Sequence, residues 1–347
     1  MPKATKHILV IRLSAMGDVA MVVPVLRALI TQNSDINLTI LTGSPFISFF
    51  RGMERVNVVP VETKGEHKGV YGLYKLARRL NKDFQFYAIA DLHSVLRSKI
   101  LKQFLNCARF VSIDKGRQVK RDLTSGKIFK QLKTTHQRYA DVFRSLDYKV
   151  DLSSPIFPEP ISISPKIHSI TGEKTEKWIG IAPFAAHEGK MYPLERMEQV
   201  VSEISSSFTV LLFGGGIHEE AILNKWESKY PNTKCTAGKL TLNEQLDVIS
   251  NLDLMLSMDS GNAHIAAMLG IKVITIWGVT HPYAGFAPFN QPQDYMLLAD
   301  RQQYPKIPSS VYGNRYPEGY ELAAGSVSEE IVISKIQEIV NNKKGTS

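Results

Sequence analysis

The hydrophobic pattern of this 347-residue chain changes period repeatedly along its length. Residues 7–13 (HILVIRL) form a continuous, β-branched apolar run, as a strand buried on both faces requires. Val19, Val22, Val23, Leu26, Leu29 and Ile30 then recur at helical spacing. Residues 38–41, 56–59, 86–90 and 110–113 predict further strands, and helical patterns occupy 71–80 and 94–105. Apolar strands separated by helices imply a parallel sheet covered on both sides.

Residues 151–165 (DLSSPIFPEPISISP) break this pattern with four prolines, which remove backbone donors and stop helices. The alternation then restarts. Strands are predicted at 178–182, 208–213, 253–258 and 272–277, and helices at 194–205, 218–229, 243–250 and 262–269. An irregular stretch rich in Pro, Tyr and Gly follows at 282–321, and an amphipathic helix at 328–340. The expected organisation is a first Rossmann-like domain (1–155), a linker (156–176), a second Rossmann-like domain (177–325) and a terminal segment (326–347) whose helix packs back on the first domain. Two such α/β halves would face a central cleft, with ligands at the carboxyl ends of their strands.

Composition narrows the class. With 44% hydrophobic and 22% charged residues the chain reads as globular. No apolar run approaches the roughly 20 residues that span a bilayer, and the opening MPKATKHILVIRL lacks the pattern of a secretory signal. A cytoplasmic protein is expected. Cys107 and Cys235 lie far apart without metal-ligand spacing, which argues against a zinc site or a disulfide framework. The formal charge of +9 favours an anionic partner. Residues 115–133 concentrate it in Lys115, Arg117, Lys120, Arg121, Lys127, Lys130 and Lys133 against Asp122 alone. That run is either a solvated loop or a contact for acceptor phosphates. No nucleic-acid recognition motif accompanies it, so nucleic acid is not expected as a partner.

Candidate chemistry sits where strands meet helices. Met258-Asp259-Ser260-Gly261-Asn262-Ala263-His264 follows a strand and opens a helix. Free N–H groups and the positive dipole end there suit an anion such as a diphosphate, although Asp and Ser also serve as plain N-caps. Arg12-Leu13-Ser14-Ala15-Met16-Gly17-Asp18 is the corresponding turn of the first half and is not GxGxxG, which weakens a nicotinamide reading. Asp18 either supports the helix end electrostatically or takes a proton from a sugar hydroxyl. Lys190, in EGKMYP, is either a solvated lysine or a group that neutralises a leaving diphosphate. Gly214-Gly215-Gly216 permits close ligand approach, and Glu219 or Glu220 just beyond it can accept from ribose hydroxyls.

Taken in order, these stretches resemble glycosyltransferase family 9, the ADP-heptose:lipopolysaccharide heptosyltransferases, over nearly the whole chain. ILVIRLSAMGDVAMVVPVLRAL is similar to the family's amino-terminal signature. PFAAHEGKMYPLERM and LMLSMDSGNAHIAAMLGIKVITIWGVTHP are similar to its donor-site signatures, and YAIADLHSVLRSKIL to its acceptor-side strand and helix. The resemblance implies a GT-B fold, with an acceptor-binding first domain (1–155) and a nucleotide-sugar-binding second domain (177–325), and an inverting transfer. Asp18 would be the catalytic base and Lys190 the phosphate-binding lysine. Donor binding would fall to Ser14, Gly17, Glu219, Leu240, Asp259, Ser260, Gly261 and His264. Arg12, His93, Arg97, Lys120 and Arg121 would meet the acceptor. The implied partners are a nucleotide sugar, ADP-heptose, as co-substrate, and a phosphorylated glycolipid acceptor at the inner-membrane surface; no metal and no other cofactor are implied. The chain departs from the pattern at Ala185 and Ala186, where some members carry hydroxyl residues, and in KIPSSVYGNRYPEGYELAAGSV, which lacks the cysteines many relatives have there. Two rival functions predict different behaviour. A nucleotide-sugar epimerase would form product without acceptor, and a non-catalytic anionic-glycolipid-binding protein would turn over no nucleotide sugar.

Overall fold

The structure, a computed structural model, describes residues 6–342; the first five residues of the expected signal-free opening and the end of the 326–347 segment lie outside the described residues. The chain divides into two compact units. One comprises the chain up to Gly116 together with Lys133–Ile156; the other comprises Arg117–Leu132 together with the chain from Phe157 onward.

The first unit holds β1 (Lys6–Ile11), α1 (Met16–Ala20), α2 (Val22–Gln32), β2 (Ile36–Gly43), β3 (Val56–Val61), α3 (Gly69–Asp83), β4 (Ala88–Asp91), α4 (Leu96–Phe104) and β5 (Phe110–Ser112). The second receives α5 (Arg117–Thr124), the chain returns to the first for α6 (Thr135–Arg144), and the rest belongs to the second. Those remaining elements are α7 (Pro165–Thr171), β6 (Trp178–Ala182), α8 (Leu194–Ile204), β7 (Thr209–Leu212), α9 (Ile217–Lys229), β8 (Thr233–Cys235), α10 (Leu242–Ser250), β9 (Leu254–Met258), α11 (Gly261–Met268), β10 (Val273–Trp277), β11 (Met296–Leu298) and α12 (Glu329–Asn341).

Both sheets are parallel throughout. The first runs β3-β2-β1-β4-β5 and the second β11-β10-β9-β6-β7-β8. In each, the first strand of the unit lies at the centre and the order reverses beside it. This is the doubly wound arrangement, with a switch point between β1 and β4 in one unit and between β6 and β9 in the other. Leu9 and Ile11 of β1 join Leu73, Leu76 and Leu80 of α3 and Leu101 of α4 in one core. Ile8 and Val10 point the other way and are equally buried, which is why the run is apolar at every position. In the second unit Ile179, Ile181, Leu254 and Leu256 pack with Met197 and Val200 of α8, Leu223 and Trp226 of α9, and Val332 and Ile336 of α12.

Three expectations about domain organisation change. Residues 156–176 are not a bare linker: α7 begins at Pro165 with the Ile167 N–H capped by the Ser164 hydroxyl at 3.4 Å, and Lys166 pairs with Glu244 at 2.6 Å on the second unit. The basic run at 115–133 is not a loop of the acceptor half. Its core is helix α5 in the second unit, where Leu132 donates its N–H to the carbonyl of Tyr283 at 2.9 Å. The last helix, α12, belongs to the second unit and packs on α8, where the sequence reading had placed it on the first. Among the described residues no helix is long and apolar enough to cross a membrane.

Candidate functional site

In the first unit, the loops leaving β1 and β4 are tied together at the switch point. Arg12 donates from Nη1 to the Leu92 carbonyl at 2.8 Å, and Leu13 N–H reaches Nδ1 of His93 at 3.4 Å. Asp91 is fully buried and its Oδ1 accepts the N–H groups of His93 at 3.0 Å and Ser94 at 2.8 Å, which fixes this turn. Arg12 forms an ion pair with Asp18, and the two side chains are 7% and 31% exposed. The Arg12 guanidinium lies 5.8 Å from the ring centroid of Tyr139, whose hydroxyl donates to the Asp18 carbonyl at 3.4 Å. A short carboxylate that solvent can reach is thus aimed by a nearly buried arginine.

His93 has an equally defined chemistry. Burial first, then the charges of Arg12 and Lys115, push it down to about 4, so it is neutral at physiological pH. With Nδ1 accepting from Leu13, the proton rides on Nε2, which makes the ring a neutral hydrogen-bond donor. Arg97 is exposed on α4 and its charge reaches His93; Ser14 is exposed in the β1 loop, and Gly17 lies half-buried in the first turn of α1. Arg12, expected at the acceptor, is nearly buried and meets Asp18 and the Leu92 carbonyl.

In the second unit the corresponding switch-point loops follow β6 and β9. Lys190 Nζ lies 2.8 Å from Asp259 Oδ2 and 3.2 Å from the Asp259 carbonyl oxygen. Asp259 is 7% exposed and also accepts from Thr280 Oγ1 at 2.9 Å. Its carboxylate therefore faces the lysine and the threonine. Ser260 is the N-cap residue of α11 but makes no side-chain cap; its hydroxyl lies 3.0 Å from that of Ser257. The plain capping reading of Ser260 does not hold, and the N–H groups that open α11 at Gly261 and Asn262 keep no side-chain cap. His264 is buried in the same helix.

Glycines let the backbone close around Lys190. Gly313 has φ +82°, and a Cβ there would stand 2.6 Å from Lys190 Cγ, so the loop lies directly on the lysine stem. The Gly189 carbonyl accepts the Val279 N–H at 2.9 Å, and beside Tyr316 there is no room for a side chain at this position. Beyond β7, Glu219 Oε2 accepts Gly215 N–H at 2.8 Å and Glu220 Oε1 accepts Gly216 N–H at 3.1 Å. Leu240 is buried in the loop between β8 and α10.

The structure thus brings Arg12, Asp18 and His93 together in one unit and Lys190, Asp259, Ser260 and Gly261 in the other. Lys120 and Arg121 do not join the first group. They lie on α5 of the second unit, Lys120 buried with Nζ 3.9 Å from the Phe286 ring centroid, Arg121 exposed and donating to Gln118 at 2.9 Å. Sequence reasoning missed Thr280, Asp91, Tyr139 and Gly313. Thr280 and Asp91 stood inside the motif stretches; Tyr139 and Gly313 carried no local signal, because their partners are 121 and 123 residues away. Among the described residues no group of three or more His, Cys, Asp or Glu is placed to hold a metal ion.

Comparison with known proteins is consistent across sequence and fold. Lipopolysaccharide core heptosyltransferase OpsX of Haemophilus influenzae is 24% identical over 295 residues, covering 83% of this chain and 83% of that protein. Lipopolysaccharide heptosyltransferase 1 of Campylobacter coli is 24% identical over 298 residues, covering 80% and 85%. The family 9 glycosyl transferase of Veillonella parvula has a similar fold, with a TM-score of 0.76 at 18% identity over 99% of each chain. Escherichia coli heptosyltransferase WaaC with ADP follows at 0.71 and 18% identity, covering 96% of this chain and 99% of its own. The two parallel-sheet units are those of the GT-B type. The model of glycosyltransferase family 9 (heptosyltransferase) matches residues 73–312, most of the chain, including the loops after β4, β6, β7 and β9 though not the one after β1, and the protein is therefore a glycosyltransferase belonging to family 9.

Proposed function

We propose that this enzyme transfers heptose from ADP-heptose to a phosphorylated lipopolysaccharide-core acceptor with inversion at the anomeric carbon. The observation that carries the reading is the carboxylate of Asp18, reachable by solvent yet held by the nearly buried Arg12. The acceptor hydroxyl oxygen attacks the anomeric carbon and its proton passes to Asp18. The bond from that carbon to the donor phosphate breaks, and its electron pair leaves with ADP. Neutral His93 donates to an acceptor oxygen. Lys190 and the first N–H groups of α11 meet the charge that develops on the diphosphate, preorganised by Asp259 and Thr280. Glu219 keeps an oxygen free for ribose, and Leu240 borders the adenine. No metal is required, because the lysine and the helix terminus supply the positive charge.

The relatives support the sugar and the acceptor class. Two carry lipopolysaccharide heptosyltransferase names, and E. coli WaaC has been solved with ADP-2-deoxy-2-fluoro heptose. The acceptor's lipid would bring the protein to the inner membrane surface as a peripheral visitor from the cytoplasm. The test is to incubate the enzyme with ADP-heptose and other nucleotide sugars, with and without truncated lipopolysaccharide, and to read the anomeric configuration of the product by NMR. Transfer from ADP-heptose with inverted configuration is expected. A retained configuration, or a new sugar isomer formed without acceptor, would overturn the reading.

A further inference from the structure

The second unit contains a cavity of about 530 Å³ that no step above uses. One wall is the end of α5 and the segment after it, with Thr124, Ser125 and Phe129; the other is the loop 301–317, with Arg301, Lys306, Arg315 and Tyr316. Its volume suits one or two sugar rings. Three cationic side chains line it and no carboxylate does. Arg301 is already fixed: Nε donates to the Ile307 carbonyl at 2.8 Å, and its guanidinium sits 3.6 Å from the Phe129 ring centroid. What remains outward is the two-nitrogen end of a rigid fork, the geometry that suits a phosphate or carboxylate. Phe129 and Tyr316 add aromatic faces, and Thr124, Ser125 and Ser309 add hydroxyls. A bare ion needs neither.

The position is as informative as the chemistry. The same loop covers the donor lysine, since Gly313 lies against the Lys190 stem. Tyr316 packs on Gly189 and donates from its hydroxyl to Glu188 Oε2 at 3.3 Å. The opposite wall is anchored as firmly: Leu123 and Leu132 cluster with Ala284, and Phe129 contacts His281 and Tyr283 at 5.2 and 5.0 Å between ring centroids. A molecule in this cavity therefore touches the loop that holds the phosphate-binding lysine. We propose that the cavity binds an anionic saccharide, a sugar bearing a phosphate or carboxylate group, and that this sugar is part of the acceptor. The acceptor role rests on the transferase reading above; the binding itself does not. The cavity's cations differ from those expected at the acceptor from sequence: Lys120 is turned onto Phe286, whereas Arg301, Lys306 and Arg315 line the cavity.

Titration calorimetry on the full chain, with ADP at saturation to fill the donor site, tests this with glucose 6-phosphate, glucose and inorganic phosphate. Glucose 6-phosphate is expected to bind at least tenfold more tightly than either fragment. Lys306→Gln combined with Arg315→Gln should weaken it at least tenfold more, with ADP affinity and melting temperature unchanged. Equal binding of glucose 6-phosphate and inorganic phosphate would overturn the saccharide, and equal binding by wild type and variant would overturn the site. If the variant does not fold, the wild-type comparison of the three probes still decides. Failure of ADP to bind the wild type would count against the transferase reading alone, whereas ADP binding without sugar-phosphate binding would sink this inference alone.

Discussion

Replacing Asp18 by Asn tests the catalytic reading and the structural one together. The substitution keeps the size of the side chain and removes its charge from beside a guanidinium that is 7% exposed. Stripping one partner from a fully buried pair costs about 3–5 kcal/mol. Here the carboxylate is 31% exposed, Asn can still accept from Arg12, and the Leu92 carbonyl remains in place. These three facts reduce the loss to about 1–2 kcal/mol, a fall in Tm of roughly 3–6 °C for a unit of this size. An amide cannot take the acceptor's proton, so kcat should fall by about 10²–10⁴. ADP affinity, read by calorimetry, should not change, because the phosphate-binding groups belong to the other unit. Adding Arg12→Met removes the orphaned charge; it should restore most of the Tm and none of the turnover. A variant that loses several degrees yet keeps kcat within about threefold of wild type would show that Asp18 merely neutralises Arg12, and the base would have to be sought elsewhere.

Other variants probe the donor side and the histidines. Lys190→Ala should weaken ADP binding and lower kcat, each by about tenfold or more, and destabilise the fold by leaving Asp259 buried with Thr280 alone; adding Asp259→Asn should recover Tm without turnover, and unchanged ADP affinity would remove Lys190 from the site. Gly313→Ala must place a Cβ at φ +82° and 2.6 Å from Lys190, so about 1–2 kcal/mol of stability should be lost and the donor KM should rise, whereas Gly65→Ala, whose Cβ meets only Glu62 at 3.5 Å, should be silent; equal kinetics in the two would contradict the clamp. His93 and His281 are both pushed from 6.5 down to about 4, chiefly by burial. The unfolded chain then binds protons the native state refuses, so stability is full above pH 6.5 and declines as pH falls from there toward 4. Between pH 7.5 and 5 each histidine should cost up to about 2 kcal/mol, read from urea midpoints, and His93→Gln with His281→Gln should flatten that slope; an unchanged slope would refute the assignment.

Much of the architecture was legible in the order of residues because it depends on local period. β6 occupies residues 178–182, as its apolar run predicted, and α8 begins at Leu194 as its spacing did. Parallel sheets bury both strand faces, so their strands write themselves as unbroken apolar runs. The turns bearing Asp18, Lys190 and Asp259 were legible for a related reason: a short loop between a strand and the next helix has to sit at the carboxyl end of the sheet. The sequence fell silent where an element is held by distant partners. α5 and the short strands β8 and β11 carry little pattern of their own, and α7 follows a proline run that reads as a break. The basic run looked like a free, charged loop of the first half because charge says nothing about where a helix docks. Leu123, Leu132 and Phe129 decide that, through Ala284, Tyr283 and Arg301 more than 150 residues on. Nor does sequence tell which groups an arginine will meet. Arg12 finds Leu92, Asp18 and Tyr139 only when folding buries it beside them, because a desolvated guanidinium depends on whatever partners the tertiary structure provides.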